Sequence, residues 1–441
     1  MNNRLFRLML SCLMVSTFIA APTLWAGERK TMTRNDDFVV VLGGKLKQCL
    51  GKDITTLSLF AASSGQAKPI PFQIDEINQL GDWVLTSIPP ALKNSGLKPE
   101  VDEDNGKLDA NDQMVFMIKD SGDRMDKSLY PKDALSVDEI TLTDPVSGGK
   151  SWVYLCAFAS NPPRSDVSYI KYDIAKDQVI AQSYVMGFAA KMPIAPGYVS
   201  VMGSPNLIDR MKIRVVAHIL GIPYHIDENQ FVSKLSLYRA GPIRVVRRTK
   251  NAIKIFKIFQ TPSAAVENVY YSNIASVPVR MTVPLNVAGV AKMFALRVES
   301  IGGADFQNMH GWQFKSNVSP TWVNITGSMD ETKKVLNGKG PLDWFCLKGP
   351  NRAFMIRITL NRKADGTPQA LPLTTKLAFT DDDKALDPPE DVPGQSPNVG
   401  FIIEGIDKLN KGTMYFFATM YMIKDYQDGD EKSYLTILDK P

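Results

Sequence analysis

Apolar and polar residues alternate in short runs along most of the chain, and a period of two predicts strands. Phe38-Val-Val-Val-Leu, Thr55-Thr-Leu-Ser-Leu-Phe, Pro71-Phe-Gln-Ile and Trp83-Val-Leu come first, each bounded by turn residues. Met114 to Ile118 reads as a strand, and Glu139-Ile-Thr-Leu-Thr pairs naturally with Trp152-Val-Tyr-Leu across Pro145-Val-Ser-Gly-Gly. Val167 to Tyr172, Gln178 to Tyr184 and Thr413 to Tyr421 continue the pattern, and Tyr434-Leu-Thr-Ile-Leu is a last short strand. Residues 204–220 are ambiguous, but their β-branched content favours strand. Helices are scarce. The clearest start is Ser328 to Glu331, a capping box, with Asn337-Gly338 as the stop.

Strands at this spacing suit antiparallel sheets rather than βαβ units, so the expected fold is mainly β, an antiparallel β-sandwich architecture with few short helices. The composition shift near Asn161-Pro-Pro-Arg-Ser predicts two β-domains, 27–160 and 161–441. A stretch from Thr380 to Asn398 carries four prolines, which exclude a central strand and imply a long surface loop.

One run breaks the alternation. Arg4 and Arg7 precede an uninterrupted apolar segment from Leu8 to about Ala21, and small Ala26 precedes Gly27-Glu28-Arg29-Lys30. A basic, apolar, small-residue order over residues 1–26 predicts a secretory signal peptide. The expected location is periplasmic or extracellular. No other apolar run is long enough to cross a membrane as a helix, so no transmembrane segment is expected after its removal. Losing two arginines leaves 49 basic against 46 acidic residues, a surplus of +3 that makes no case for nucleic acid.

Beyond residue 26 the cysteines are Cys49, Cys156 and Cys346. They allow one disulfide and one thiol, or three buried thiols. The apolar surroundings of Cys156 and Cys346 favour buried thiols that act as small hydrophobes.

The passage with the most specific chemistry is acidic. Asp102, Asp104, Asn105, Asp109 and Asp112 crowd around Gly106 immediately before the strand at Met114. Hard oxygen ligands on a tightly turning backbone are what Ca²⁺ requires. The spacing resembles an EF-hand or dockerin loop imperfectly, since aligning Gly106 with that motif's glycine places Val101 at the first ligand position. A non-standard Ca²⁺ loop and a solvated acidic turn are both open. A shorter acidic turn at Asp425, Asp428, Asp430 and Glu431 reads as solvated.

Arg239, Arg244, Arg247, Arg248, Lys250, Lys254 and Lys257 crowd one strand-rich segment. Arg244, Arg247 and Arg248 are the candidates for holding an anionic ligand, because guanidinium groups fork onto carboxylates. The competing reading is the solvated face of paired strands. Of the three histidines, His218 reads as a core residue, while His225 and His310 are candidate general bases. No Gly-x-Ser-x-Gly, His-Glu-x-x-His or phosphate loop accompanies them. Trp312, Trp322 and Trp344 could stack on sugars, although core roles are commoner.

Four blocks, Pro69-Ile-Pro-Phe-Gln-Ile-Asp-Glu, Asn111-Asp-Gln-Met-Val-Phe-Met, Gly241-Pro-Ile-Arg-Val-Val-Arg-Arg and Pro388-Pro-Glu-Asp-Val-Pro-Gly-Gln, resemble those of uncharacterised exported β-rich proteins of Gram-negative bacteria. The Gly241 block is also similar to strands in large β-sandwiches of carbohydrate-active proteins. The first resemblance implies an envelope location, the second a sugar-facing sandwich. The expectation is an exported protein that binds an anionic polysaccharide or another envelope component, with structural Ca²⁺. The alternatives are a polysaccharide lyase-like enzyme and an envelope assembly or structural factor.

Overall fold

The computed structural model describes residues 28–439, apart from 105, 256–258, 261–262, 284–285, 295–296, 361–366 and 387–392. The segment read as a signal peptide, Asn105, Lys257 and part of the proline-rich loop therefore lie outside the described residues.

The protein is mainly β, and every pairing between its strands is antiparallel. The first strands are β1 (Phe38–Leu42), β2 (Leu57–Ser63), β3 (Gln66–Pro69), β4 (Phe72–Asp75), β5 (Gln113–Met117), β6 (Ser136–Thr143) and β7 (Lys150–Ala157). They form a three-stranded sheet, β1-β5-β4, and a four-stranded sheet, β3-β2-β7-β6. Then β8 (Ile170–Asp173), β9 (Gln178–Ala181), β10 (Tyr184–Ala189) and β11 (Met192–Val201) make a second four-stranded sheet.

The remaining strands begin with β12 (Ile208–Ile219), β13 (Ile222–Ile226), β14 (Phe231–Ala240), β15 (Val245–Ile255), β16 (Phe259–Gln260), β17 (Ala264–Tyr270) and β18 (Ile274–Val283). They continue with β19 (Arg297–Phe306), β20 (Gln313–Ser316), β21 (Ser319–Asn324), β22 (Trp344–Gly349), β23 (Arg352–Thr359), β24 (Thr374–Thr380), β25 (Asn398–Glu404) and β26 (Gly412–Lys424). These build a five-stranded sheet, β13-β12-β19-β25-β24, and a ten-stranded sheet ordered β14-β15-β17-β18-β26-β23-β22-β20-β21, with β16 attached to β15. Among the described residues, the backbone pairing between the part before residue 158 and the later strands is one isolated bridge, Ser87 to Tyr238.

The central strands of the ten-stranded sheet are buried on both faces, and the period of two sorts their side chains. Val245, Tyr270, Phe345, Leu347, Phe354 and Met422 pack towards the four- and five-stranded sheets. Their neighbours Val246, Trp344, Cys346, Ala353, Met355, Tyr421 and Ile423 pack the opposite way, against Leu85, Val115 and Met117. The three-stranded sheet is likewise two-sided, since Met114 and Phe116 face a third core shared with Leu57, Leu59, Val153 and Leu155. Near-continuous apolar runs such as those in β7 and β22 are what burial on both faces demands.

Three elements differ from the sequence reading. Trp83 to Leu85, expected as a strand, makes only an isolated bridge from Trp83 to Ile77. Tyr434 to Leu438, expected as a strand, belongs to α3 (Asp430–Asp439), since α1 (Val287–Phe294) and α2 (Glu331–Lys334) precede it. Asp430 and Glu431 occupy its first turn, where the positive end of the helix dipole favours acids. Tyr434 and Leu435 then pack onto the core beside Tyr421. Glu431 is 2% exposed and accepts hydrogen bonds from Lys315 Nζ (2.6 Å) and the Tyr426 hydroxyl, so this acidic turn is not simply solvated. The start of α2 is capped by Asp330, whose carboxylate accepts from the Lys333 amide, rather than by Ser328.

Candidate functional site

The three candidate arginines do not share a surface. Alternation along β15 sends Arg247 to one face of the ten-stranded sheet and Arg248 to the other. Arg247 is 0% exposed; it stacks 3.4 Å over the Phe188 ring, donates to Asp177 at 2.6 and 2.8 Å, and reaches the Tyr172 hydroxyl and the Pro193 carbonyl. Arg248 bonds Glu267, Glu100 and the Trp83 carbonyl. Arg244, 1% exposed, is held by Asp75 (2.6 Å), Gln113 (2.9 Å) and the Tyr271 hydroxyl (3.2 Å). The strip read as an anion site therefore turns its guanidinium groups onto carboxylates of its own chain.

Around Arg244 two of the quoted sequence blocks meet. Gln73 donates to Asp75 and accepts from the amides of Ile243 and Arg244, so its carboxamide lies against Gly241. A Cβ at Gly241 would stand 2.1 Å from Gln73 Oε1, which explains why the turn into β15 carries glycine there. Burial pushes the Asp75 carboxyl up, but Arg244 and Arg239 outweigh it and hold it below the usual carboxylate range.

Unpaired positive charge lies further along the same strands. Lys234 of β14 stands directly opposite Lys250 of β15, and both are exposed. They line a groove of about 530 Å³ between the 92–97 segment and the end of the ten-stranded sheet, with Ser95, Gln260 and Ser263 as polar walls and Leu92 and Leu97 as apolar ones. No carboxylate is ion-paired to either lysine among the described residues. Lys250 belongs to the basic cluster visible in the sequence, but Lys234 does not stand out there. What brings them together is a bulge between Leu235 and Leu237, which shifts the ladder by one residue and replaces Asn251 by Lys250 opposite Lys234.

The acidic loop forms a second cluster. One oxygen each from Asp102, Asp104 and Asp109 lie within 4.8 Å of one another. Burial raises the Asp102 and Asp104 carboxyls above their ordinary range, and for Asp104 the neighbouring Asp109, Asp102 and Glu76 add to it. Asp112 stands apart from this group. It is 0% exposed, its oxygens accept the Ile77 amide (3.0 Å) and the Asp109 amide (2.9 Å), and burial pushes its carboxyl up to about 7.

The histidines do not converge on the groove. His218, expected in the core, is exposed on β12, on the same face of the hairpin as exposed His225 of β13. His310 precedes β20 and pairs with Asp383 at 3.0 Å, its side chain 60% exposed. Trp312 and Trp344 are buried in the core, and Lys348 lies 4.3 Å over the Trp322 ring. Cys49, Cys156 and Cys346 are all buried free thiols. No helix among the described residues is long and apolar enough to cross a membrane.

No family model matches the sequence, and no curated protein matches it. Among solved structures, an α-mannosidase from Enterococcus faecalis V583 is 7% identical, covering 93% of this chain and 44% of its own, with a TM-score of 0.43. A glycosyl hydrolase family 38 protein from Enterococcus faecalis is also 7% identical, covering 89% and 48%, with a TM-score of 0.36. The chain thus spans less than half the length of either. Likeness this remote carries nothing over to the present site.

Proposed function

We propose that this is an exported binding protein whose groove beside Lys234 and Lys250 takes an anionic saccharide. The observation that carries this reading is the lysine pair. Like charges directly opposite on an antiparallel ladder destabilise the sheet, and among the described residues no carboxylate is ion-paired to either of these two. An anion between them turns repulsion into attraction. The volume of about 530 Å³ suits a short saccharide segment, and Ser95, Gln260 and Ser263 offer hydrogen bonds to hydroxyls beside the apolar Leu92 and Leu97. The basic, apolar, small-residue order of residues 4–26 supports export.

Binding without turnover is the better-supported form of this reading. A lyase needs a base beside the acidic sugar and a group that neutralises its carboxylate. Neither His225 nor His310 lines the groove.

Lys234→Gln with Lys250→Gln should lower affinity for polygalacturonate by about tenfold or more, the loss expected from charge-assisted contacts of at least about 1.4 kcal/mol together. Both side chains are exposed and their charges repel across the ladder, so circular dichroism should match wild type and melting should be equal or slightly higher. Wild-type binding should weaken as salt rises, and neutral dextran should not bind. Equal affinity of variant and wild type, or no wild-type binding to any acidic glycan, overturns the reading.

A further inference from the structure

We propose that Asp102, Asp104 and Asp109 hold one Ca²⁺ ion, that Asp112 positions Asp109 for it, and that the ion fastens this loop to the N-terminal sheets. The proposal is independent of the saccharide groove.

Distance comes first. Calcium binds oxygen at about 2.3–2.6 Å, so two ligands of one ion stand no more than about 5 Å apart. The three carboxylate oxygens here all meet that limit, lying within 4.8 Å of one another. An all-oxygen donor set selects a hard cation over the softer transition metals.

Burial supplies the second observation. Asp102 is only 5% exposed, yet its Oδ2 has no hydrogen-bond partner, and Asp104 Oδ1 is buried and unpartnered as well. A buried charged oxygen without a partner is strongly unfavourable, far more so than a neutral one. No lysine or arginine is ion-paired to Asp102, Asp104, Asp109 or neighbouring Glu76 among the described residues. The described residues supply no compensating cation, so either a proton or a bound cation has to neutralise these oxygens.

The backbone is built to hold these groups. Gly106 turns the loop at φ +83°, in the left-handed region that favours glycine, and its amide donates to Glu76. The loop is then stitched to residues 43–54. Ile54 N donates to Gly106 O (2.9 Å), Leu108 N to Lys52 O (2.9 Å), Gly51 N to Leu108 O (2.7 Å) and Gly44 N to Ala110 O (2.9 Å). A Cβ at Gly43 would stand 1.8 Å from Asp109 O, so only glycine admits this approach. Asp112 accepts the Asp109 amide while Asp109 Oδ1 accepts the amides of Asn111 (3.0 Å) and Asp112 (3.1 Å). This reciprocal clamp fixes Asp109 and leaves Asp112 outside the cluster.

The test uses the full secreted chain, stripped with EDTA and dialysed. Isothermal titration with CaCl₂ should show one site with a dissociation constant of about 0.1–1 mM, as in extracellular modules. In 10 mM CaCl₂ the melting temperature should rise by about 5 °C over EDTA, with a smaller rise in equal MgCl₂. Asp102→Asn with Asp104→Asn should abolish both the titration heat and the shift, while polygalacturonate binding persists. Should that variant fail to fold, the milder Asp104→Asn should weaken Ca²⁺ at least tenfold. The absence of heat or shift in the wild type overturns the proposal, as does wild-type Ca²⁺ affinity in a folded variant or an equal response to Mg²⁺.

Discussion

Asp75→Ala lowers stability by about 3–5 kcal/mol, the cost of leaving a buried cation without its partner. Asp75 is 0% exposed and sits between two guanidinium groups, Arg244 at 2.6 Å and Arg239. Removing it strands Arg244, itself 1% exposed, in the interface where β4 meets the turn into β15. Gln73 loses an acceptor at the same time, and with it the contact that seats Gly241. Urea titration of the purified variant against wild type reads the loss directly. Replacing Asp75 and Arg244 together by apolar residues of similar volume should recover much of it, because the pair as a whole contributes little compared with breaking it.

The same carboxylate sets a pH dependence. Its folded value is held below the unfolded one, so its contribution is present above about pH 4 and is lost as pH falls through the folded value. The stability gap between wild type and Asp75→Asn should therefore be widest near pH 7 and narrow on acidification below about pH 4. A gap of equal size at pH 7 and pH 3 would show that the charge is not what matters at this position.

Arg247→Ala is the second large effect, a loss of about 2–3 kcal/mol from charged hydrogen bonds and packing. The expected loss is smaller than at Asp75 because Asp177, 27% exposed, can be hydrated once the guanidinium is gone. Arg247→Lys should recover little, since an ammonium cannot stack flat on Phe188 while also forking onto Asp177 and Tyr172. Polygalacturonate binding by folded Arg247→Lys should match wild type. A ligand defect without a stability defect would return this arginine to the binding surface.

That contrast marks how far the sequence could be read. Short apolar runs bounded by turn residues located β5, β7 and β26, and β-branched content decided the ambiguous segment that became β12, because a strand buried on one or both faces writes its pattern into its own residues. The density of arginines around Arg244 was equally visible, but the same alternation, applied to Arg247 and Arg248, already places them on opposite faces. Their partners Asp75, Asp177 and Glu100 lie 70 to 169 residues away, and no local pattern announces them. The lysine pair depends on a single bulged residue, Ser236, which leaves no mark in composition. At the C-terminus Tyr434 and Leu435 carry strand propensity, yet tertiary packing beside Tyr421 and the acidic first turn of α3 decide for helix. The acidic loop was legible as a cluster, whereas the split between Asp109 and the amide-holding Asp112 required coordinates.

The three thiols occupy three different layers. Cys49 lies in the core between the two N-terminal sheets, Cys156 on the outer face of β7, and Cys346 within the ten-stranded sheet. Burial pushes Cys49 and Cys156 up to about 12 and Cys346 higher still, so none offers the thiolate that alkylating reagents consume. Each thiol becomes reactive only when its own layer opens. Alkylation followed by peptide mass mapping thus converts the cysteines into three separate clocks of local unfolding, timing the opening of the N-terminal sheets against that of the central one.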